Sequence, residues 1–488
     1  MASGKRAYVE TYGCQMNISD GELMSGHLAA QGYEIVSSPE EADVVLVNTC
    51  AIREHAEQRV LGRVAQLNGI KEQNPGLIIG VTGCMAQRLG NDLVRKAPYV
   101  DLVMGPDGYR RLPAALEALE GGEAPNAAPA FGGDAGPGFE GGPGHGREGD
   151  PGPALVQLQP RGRKGAGSLA VLDLDPQENY EGLEIRRTSG VSAWVSIQRG
   201  CDHRCTFCIV PYVRGPEKNR APDAVLQEIR SVVEDGISEV TLLGQTVNSY
   251  RHGDWDFPRL LEAVARVDGV RRVRFTSPHP NDVTPRLVEV LAREEAVCEQ
   301  LHLPLQAGSD RTLKRMLRRH TVDEFLEKVA LVRGAIPDIA LSTDIIVAFP
   351  GETAEEFQGT LSVCEEVRFD DAFTYRYSPR DGTPATRLPP EQFVPEEEGK
   401  ARLDALIGVT RRIQGEINRG EVGRVEEVLV EKAGKEAGYM LGRTRRHKVV
   451  VFPGEDGLQG SYRAVELNRT TGATFVGSLV EPHALEPS

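Results

Sequence analysis

The sequence predicts an α/β protein with three folded parts joined by one Gly/Pro-rich segment, and three patterns support this fold class. Apolar runs of strand length alternate with helical patterns near the N-terminus, and the same alternation returns in the long central part. Five short β-like runs then follow one another without helices between them, which is typical of a small OB-like barrel. We therefore expect a parallel α/β domain at 5–120, a linker at 121–168, a partial (βα)6 barrel with a helical connector at 187–419, and a five-stranded OB-like β-barrel at 420–485.

Composition and charge narrow the functional classes. The 488 residues are 40% hydrophobic and 26% charged, without an apolar run that could span a bilayer. The N-terminus lacks the apolar stretch of a secretory signal, so we expect a cytoplasmic protein that does not bind membranes. Eight cysteines in such a chain favour metal or catalytic roles over disulfides. A net charge of −15 argues against non-specific nucleic-acid binding by the whole surface, although a local basic patch remains compatible with it.

The N-terminal region contains three β-like runs, and each of them ends in a cysteine. The runs are R-A-Y-V-E-T-Y-G-C, D-V-V-L-V-N-T-C and L-I-I-G-V-T-G-C, which end at Cys14, Cys50 and Cys84. Taken singly, each of these cysteines is better explained as a small buried hydrophobe. The carboxyl ends of parallel strands, however, meet at one edge of the sheet, where ligands bind. Together the three cysteines therefore predict a three-thiolate iron–sulfur cluster.

The stretch 121–168 is dominated by Gly, Pro and Ala and contains few apolar side chains. We expect a disordered linker, because such a segment cannot offset the entropy of ordering its chain. Its basic end, R-G-R-K-G, could touch RNA, but a solvated charge run explains it more simply.

Six strand-like runs with intervening helical patterns make up the central region, as expected for a partial barrel. They are A-W-V-S-I-Q, E-V-T-L-L-G-Q, R-V-R-F-T-S, Q-L-H-L-P-L-Q, A-L-S-T-D-I-I-V-A-F and D-A-F-T-Y-R-Y-S. Directly after the first strand, the loop G-C-D-H-R-C-T-F-C carries Cys201, Cys205 and Cys208. Three thiolates on a four-iron cluster leave one iron open for chemistry. A structural zinc site is the alternative, but zinc sites usually contain two C-x-x-C units or one with a pair of histidines, and only one such unit occurs here.

A helical pattern from about Pro395 to Arg419 precedes five β-like runs: R-V-E-E-V-L-V-E, G-Y-M-L-G-R-T, K-V-V-V-F, Y-R-A-V-E-L and T-F-V-G-S-L-V. The turn between the second and third runs is basic, with Arg443, Arg445, Arg446 and Lys448. A basic turn on an OB-like barrel is a candidate RNA-binding site that contacts phosphates. The alternative interpretation is a turn that only keeps the surface soluble.

The spacing C-x-x-x-C-x-x-C with Phe207 before the last cysteine resembles the radical S-adenosylmethionine (SAM) enzymes. Outside the linker, the whole chain resembles their methylthiotransferase family, which combines an N-terminal cluster domain, a radical SAM barrel and a C-terminal TRAM domain. Four segments point to its MiaB-type branch: N-T-C-A-I-R-E-H-A at 48–56, C-T-F-C-I-V-P-Y-V-R-G at 205–215, L-L-G-Q-T-V-N-S-Y at 242–250 and G-R-T-R-R-H-K-V-V at 442–450.

The resemblance implies an enzyme that adds a methylthio group to carbon 2 of an isopentenyladenosine beside the tRNA anticodon. It implies two 4Fe-4S clusters, held by Cys201, Cys205 and Cys208 and by Cys14, Cys50 and Cys84. SAM would be used twice, once as methyl donor and once as the source of a 5′-deoxyadenosyl radical. Expected partners are the tRNA anticodon stem-loop, a sulfur source and an electron donor such as flavodoxin or ferredoxin. We expect a monomer.

The chemistry of the target fits this assignment, because carbon 2 of adenine carries an unactivated C–H that no side-chain base removes usefully. Both clusters should then face one cavity, and the base must leave its stack to enter it. The ends of barrel strands also suggest SAM contacts by Gln245 and Asn248, and contacts with SAM or substrate by Ser342 and Asp344.

Two alternatives remain open from the sequence. A related methylthiotransferase could act on a ribosomal-protein aspartate or on threonylcarbamoyladenosine in tRNA, and the cysteines do not separate these substrates. A non-catalytic iron–sulfur protein that only binds RNA is the alternative of another class. The presence of only three thiolates argues against such a non-catalytic protein, since electron carriers normally provide a protein ligand for every iron of the cluster.

Overall fold

The computed structural model describes residues 4–50, 54–121, 156–158, 168–187 and 190–480. The chain forms two compact units. The first contains the described residues up to 187 together with 199–203 and 208–218, and the second contains 190–198, 204–207 and 219–480.

A seven-stranded sheet forms the centre of the first unit. Its strands are β1 (Arg6–Tyr12), β2 (Glu34–Ile35), β3 (Val44–Thr49), β4 (Ile78–Gly83), β5 (Leu102–Met104), β6 (Val156–Leu158) and β7 (Ser168–Val171). Their order is β2-β1-β3-β4-β5-β7-β6, and every pair is parallel except β6 with β7. The three predicted cysteine-ending runs are β1, β3 and β4, which lie side by side.

Helices pack on both faces of this sheet. They are α1 (Gln15–Ala30), α2 (Glu54–Gln73), α3 (Cys84–Leu89), α4 (Asn91–Lys96) and α5 (Leu112–Gly121), and a further short helix, α6 (Val210–Arg214), packs on α3. Strand β3 is buried throughout; Leu46 packs in one hydrophobic core with Met24, and Val47 packs in the other with Val64. A strand covered on both faces reads as a continuous apolar run, which is why β3 and β4 were recognisable from the sequence.

Strand β6 differs from the prediction, because it lies inside the segment 121–168 that was expected to be a disordered linker. Its residues pair antiparallel with β7, from Val156 opposite Ala170 to Leu158 opposite Ser168. The short V-Q-L run has the alternation of an edge strand, but three residues among Gly and Pro give a weak signal. Apart from β6 and the first residue of β7 and the last of α5, the predicted linker lies outside the described residues.

The second unit contains the predicted barrel. The strands of the central region are β8 (Ser192–Ser196), β9 (Gln198–Arg199), β10 (Lys218–Asn219), β11 (Glu239–Leu243), β12 (Arg251–His252), β13 (Trp255–Asp256), β14 (Arg272–Phe275), β15 (Gln300–His302), β16 (Ala340–Val347) and β17 (Asp371–Arg376), and β9 and β10 each have one residue in the first unit. Six of them, β8, β11, β14, β15, β16 and β17, are the six predicted barrel strands, in two parallel groups of three. A parallel bridge from Val273 to Val297 connects the groups.

The barrel helices follow the strands as βα alternation requires. They are α7 (Pro222–Glu234), α8 (Phe257–Ala265), α9 (Pro285–Arg293), α10 (Asp310–Arg315), α11 (Val322–Ala335) and α12 (Ala354–Val367). One continuous core joins strands and helices, with Val240, Phe257 and Phe325 fully buried in it.

A long helix, α13 (Glu396–Gly420), is the predicted connector. It leads into β18 (Val425–Ala433), β19 (Tyr439–Thr444), β20 (Val449–Pro453), β21 (Tyr462–Thr470) and β22 (Thr474–Leu479), which close into a barrel in the order β18-β19-β20-β22-β21. Val428, Phe452 and Phe475 fill its interior. The predicted α/β fold class and the five-stranded barrel are therefore confirmed. Among the described helices, none combines the length and apolar character needed to cross a membrane.

Candidate active site

Strand register in the first unit brings three cysteines to one edge of the sheet. Tyr12 lies opposite Thr49, and Thr49 lies opposite Gly83, so Cys14, Cys50 and Cys84 follow at nearly the same level. Gly83 has φ +90°, and a Cβ there would lie 2.6 Å from the carbonyl oxygen of Thr49. Only glycine permits this close approach at the end of β4, just before Cys84 begins α3.

The thiols of Cys14 and Cys50 are in contact. A hydrogen bond with Cys50 is the main cause that lowers the pKa of Cys14, acting against burial and aided by the charge of Arg214. Cys84 is buried, and this burial raises the pKa of its thiol although Arg214 acts in the opposite direction. Two touching thiols and a third beside a guanidinium are a donor set that suits a cluster bound by three thiolates.

Two buried asparagines hold the Cys14 loop against the strand edge. The Cys14 thiol donates to Asn17 Oδ1 at 3.3 Å, and Asn17 Nδ2 donates to Thr49 O at 3.2 Å. Asn48 Nδ2 donates in turn to Asn17 O at 2.7 Å. Asn17 is not predictable as a site residue, because a single asparagine within a helical pattern carries no signal of its own.

The second cysteine motif is divided between the two units. Cys201 and Cys208 belong to the first unit and Cys205 to the second. In the first, Gly200 has φ +74° and a Cβ there would lie 1.9 Å from Pro216 O, so the turn before Cys201 requires glycine. The grouping of these three thiols around one cluster therefore stays a prediction.

Within the second unit, the segment around Cys205 is firmly anchored. Cys205 is buried, and Arg318 Nη1 lies 3.5 Å from its sulfur. Thr206 donates its hydroxyl to Arg315 O at 2.9 Å, and the Phe207 ring packs edge-on against Phe349. The aromatic residue that precedes Cys208 thus serves as an apolar anchor for the loop.

The predicted SAM-contact residues of the barrel fall into two environments. Asn248 is buried and exchanges hydrogen bonds of 2.9 and 2.7 Å with the backbone of His279, so its amide joins two loops. Gln245 has a buried Oε1 without a hydrogen-bond partner among the described residues. A buried acceptor without a donor is costly, which is compatible with a donor from a ligand. Contact of either residue with SAM stays a prediction.

Ser342 and Asp344 lie together on one face of β16, opposite the face that packs into the core. His302 on β15 contacts both, with Nδ1 3.0 Å from Ser342 Oγ and Nε2 3.2 Å from Asp344 Oδ2. The ring of Phe373 lies edge-on to His302, and its side chain is 46% exposed. This face therefore presents hydrogen-bonding groups beside an exposed aromatic ring, a combination suited to a nucleoside.

The basic turn of the C-terminal barrel, which is the predicted RNA-binding site, forms ion pairs within the chain. Arg445 donates to both carboxylate oxygens of Glu299, at 2.9 Å each, next to the start of β15. Lys448 donates to Asp370 at 2.6 Å and to Asn418 at 3.0 Å.

The remaining two cations of the turn, Arg443 and Arg446, also have carboxylate partners. Arg446 pairs with Glu421 and Glu426, and Arg443 pairs with Glu431. Arg443 has the most exposed side chain of the four, at 30%. Periodicity and composition could not show these partners, because they lie far away in the sequence.

Two arginines on strand β14 of the central barrel also bind the backbone of the basic turn. Arg272 donates to Arg443 O at 3.0 Å and Arg274 donates to Arg445 O at 2.7 Å. The turn therefore docks the C-terminal barrel onto the starts of the central strands. RNA contact by the four cations of the turn stays a prediction; they are Arg443, Arg445, Arg446 and Lys448. An RNA phosphate would have to displace the carboxylates that pair with them.

Comparison with known protein families agrees with this architecture. Residues 6–105 match a family described as uncharacterized protein family UPF0004, residues 195–364 match the radical SAM superfamily, and residues 419–474 match the TRAM domain. These matches, in this order, define the class: a radical SAM protein with an N-terminal UPF0004 domain and a C-terminal TRAM barrel.

Curated relatives extend over nearly the whole chain. A tRNA-2-methylthio-N(6)-dimethylallyladenosine synthase of Chloroherpeton thalassium is 40% identical, covering 97% of this chain and 96% of the relative. The synthase of the same name from Porphyromonas gingivalis is 38% identical, covering 98% and 95%. This chain belongs to the family of tRNA-2-methylthio-N(6)-dimethylallyladenosine synthases.

Solved structures show the fold alone. The radical SAM methyltransferase TsrM of Kitasatospora setae, with cobalamin and a [4Fe-4S] cluster bound, superposes with a TM-score of 0.56 at 12% identity, covering 78% of this chain and 77% of its own. The apo form of the cobalamin-dependent radical SAM enzyme OxsB gives a TM-score of 0.51 at 12% identity, covering 84% and 58%.

We predict that Lys448→Met destabilises the protein by about 3 kcal/mol, because it leaves the buried Asp370 carboxylate without its cation. Lys432→Met is the matched control, since it removes the same charge from an exposed position on the same barrel. Scanning calorimetry should show a lower unfolding temperature for Lys448→Met only. Equal unfolding temperatures for both variants, with tRNA affinity lost only in Lys448→Met, would instead support a direct RNA contact.

Proposed function

We propose that this protein adds a methylthio group to carbon 2 of an isopentenyladenosine next to the anticodon of tRNA. The observation that carries the proposal is the similarity, over nearly the full length, to curated relatives named for this reaction. The three cysteines at one sheet edge and the radical SAM domain support it independently, since the reaction needs both a radical and a source of sulfur.

Two 4Fe-4S clusters and SAM are the cofactors of the proposed reaction. Cys14, Cys50 and Cys84 would hold the auxiliary cluster, named here for its position in the first unit, and Cys201, Cys205 and Cys208 would hold the radical SAM cluster. When bound, these groups supply the radical that acts at carbon 2 and the sulfur that replaces its hydrogen. Three thiolates rather than four leave one iron of each cluster open for a further ligand.

The protein side chains have positioning roles in this proposal. Gln245, Asn248, Ser342 and Asp344 would contact SAM or the substrate, with Asp344 and Ser342 held in place by His302. Of the basic turn, Arg443 is the best placed for an RNA phosphate, because its side chain is the most exposed of the four. Arg445, Arg446 and Lys448 would reach RNA only by giving up their carboxylates.

The partners follow from the same chemistry. The proposed substrate is the anticodon stem-loop of tRNA, and a reductant such as flavodoxin or ferredoxin would supply electrons. A sulfur donor must renew the atom that leaves with each product. We further propose a monomer that acts in the cytoplasm.

Nucleoside mass spectrometry tests the substrate. In tRNA from a strain that lacks this gene, we expect 2-methylthio-isopentenyladenosine to disappear and isopentenyladenosine to accumulate. Reintroducing the wild-type gene should restore the product. Unchanged 2-methylthio-isopentenyladenosine would reject the proposal, and loss of a methylthio group from threonylcarbamoyladenosine or from a ribosomal-protein aspartate would point to the alternative substrates.

Cys50→Ala should abolish methylthiolation while SAM cleavage continues, because only the auxiliary cluster loses a ligand. One anaerobic assay measures both 5′-deoxyadenosine, which reports SAM cleavage, and the methylthiolated nucleoside, which is the product. Cys298→Ala is the matched control, since Cys298 is equally buried and far in sequence from both motifs. Continued product formation by Cys50→Ala would remove the auxiliary cluster from the reaction.

Cys205→Ala should have the complementary effect, with SAM cleavage lost and the auxiliary cluster retained. Iron content after reconstitution should fall to about half, because each cysteine set binds one cluster. Mössbauer spectroscopy of the reconstituted protein shows which cluster remains. Loss of both clusters would contradict two separate sites.

A further inference from the structure

A buried arginine lies against the cysteine edge of the first unit. Arg214 ends α6, the short helix that follows Cys208 in the chain. Its Nε lies 3.2 Å from the sulfur of Cys84, and its Nη2 donates to Asp20 Oδ2 at 2.7 Å. The side chains of Arg214 and Asp20 are each only 2% exposed.

The two contacts of Arg214 with Cys84 and Asp20 do not satisfy its whole guanidinium. Nη1 is buried and has no hydrogen-bond partner among the described residues. A donor left unsatisfied in a dry site is costly, so it indicates an acceptor that completes the site.

The surrounding charges strengthen this point. Arg199 and Lys218 share the single carboxylate of Asp107, with nitrogen–oxygen distances of 3.3 and 2.8 Å. In this pair of contacts two buried cations share one carboxylate. Buried charge requires compensation, and a cluster with three thiolates is an anion that supplies it.

A purely structural role would explain the position less well. Helix α6 packs on α3 through Ile209 and Val213, which form an apolar cluster with Cys84. That contact needs no charged group, and a methionine would fill the same space without a desolvation cost. The guanidinium instead directs one N–H to a thiolate ligand and another to the carboxylate that fixes its orientation.

We propose that Arg214 is a positioning residue that sets the reduction potential of the auxiliary cluster, by donating a hydrogen bond to the Cys84 sulfur while Asp20 holds it in place. The inference rests on the proposed function, since it takes Cys14, Cys50 and Cys84 as the ligands. Hydrogen bonds to cluster sulfurs and nearby positive charge favour the reduced state, which carries one more electron. The helix that follows Cys208 would thus provide positive charge beside the auxiliary cluster.

Two substitutions should shift the potential in opposite directions. Arg214→Gln removes the positive charge and the guanidinium donor, so the potential should become more negative. Asp20→Asn keeps the shape but removes the negative charge beside the guanidinium, so the potential should become less negative. A merely structural disturbance of α6 has no reason to give opposite signs.

The experiment uses the full chain with Cys201, Cys205 and Cys208 all replaced by alanine, so that only the auxiliary cluster is reconstituted. A redox titration followed by electron paramagnetic resonance, without tRNA or SAM, gives its midpoint potential. Arg318→Gln is the matched control, because Arg318 contacts Cys205, which is absent from this background. We expect a negative shift for Arg214→Gln, a positive shift for Asp20→Asn, and none for Arg318→Gln.

Equal potentials in Arg214→Gln and its parent, at equal iron content, would overturn the inference. If Arg214→Gln does not retain iron, Asp20→Asn decides alone, and an unchanged or more negative potential would refute the role. Failure of the proposed substrate would leave this result untouched, because the titration involves no tRNA.

Discussion

The register of three parallel strands is the constraint on which the candidate site depends. Tyr12, Thr49 and Gly83 lie side by side at the ends of β1, β3 and β4, and this places the following cysteines together. A slip of one residue would reverse the face of every side chain in the shifted strand. The register is fixed by burial, since β3 and β4 are packed on both faces and cannot slip without exposing apolar side chains.

Helix α1 shows what this arrangement requires from the rest of the unit. It buries Asn17 and Asp20 together with Leu23 and Met24, so its inner surface is partly polar and its apolar stripe is weak. Each of the two polar residues has a definite partner: Asn17 contacts Cys14 and the strand edge, and Asp20 contacts Arg214. The helix gives up part of its apolar packing to hold the cysteine edge, which is the pattern expected where function overrides local stability.

Most strands and the positions of the first three cysteines are predictable from the sequence, whereas contacts between distant residues are not. Strands β1, β3 and β4, the six barrel strands and the five C-terminal strands were predictable, because each is an apolar run with turn residues at its ends. The positions of Cys14, Cys50 and Cys84 followed from the rule for strand ends. Arg214 lies within the motif C-T-F-C-I-V-P-Y-V-R-G, but a one-dimensional pattern does not show that a helix turn brings it to Cys84. Strand β6 was missed because three residues among glycines carry too little periodic signal.

The basic turn shows that a cationic run in the sequence can be ion-paired in the folded protein. From the sequence, Arg445, Arg446 and Lys448 form a cationic run, and such runs are normally solvated. In the folded chain, carboxylates distant in sequence neutralise them and two barrel arginines bind the turn backbone. These cations therefore form ion pairs within a chain whose net charge is −15. Coulomb attraction from an ion pair largely cancels beyond a Debye length, so these paired cations contribute little long-range attraction for a polyanion.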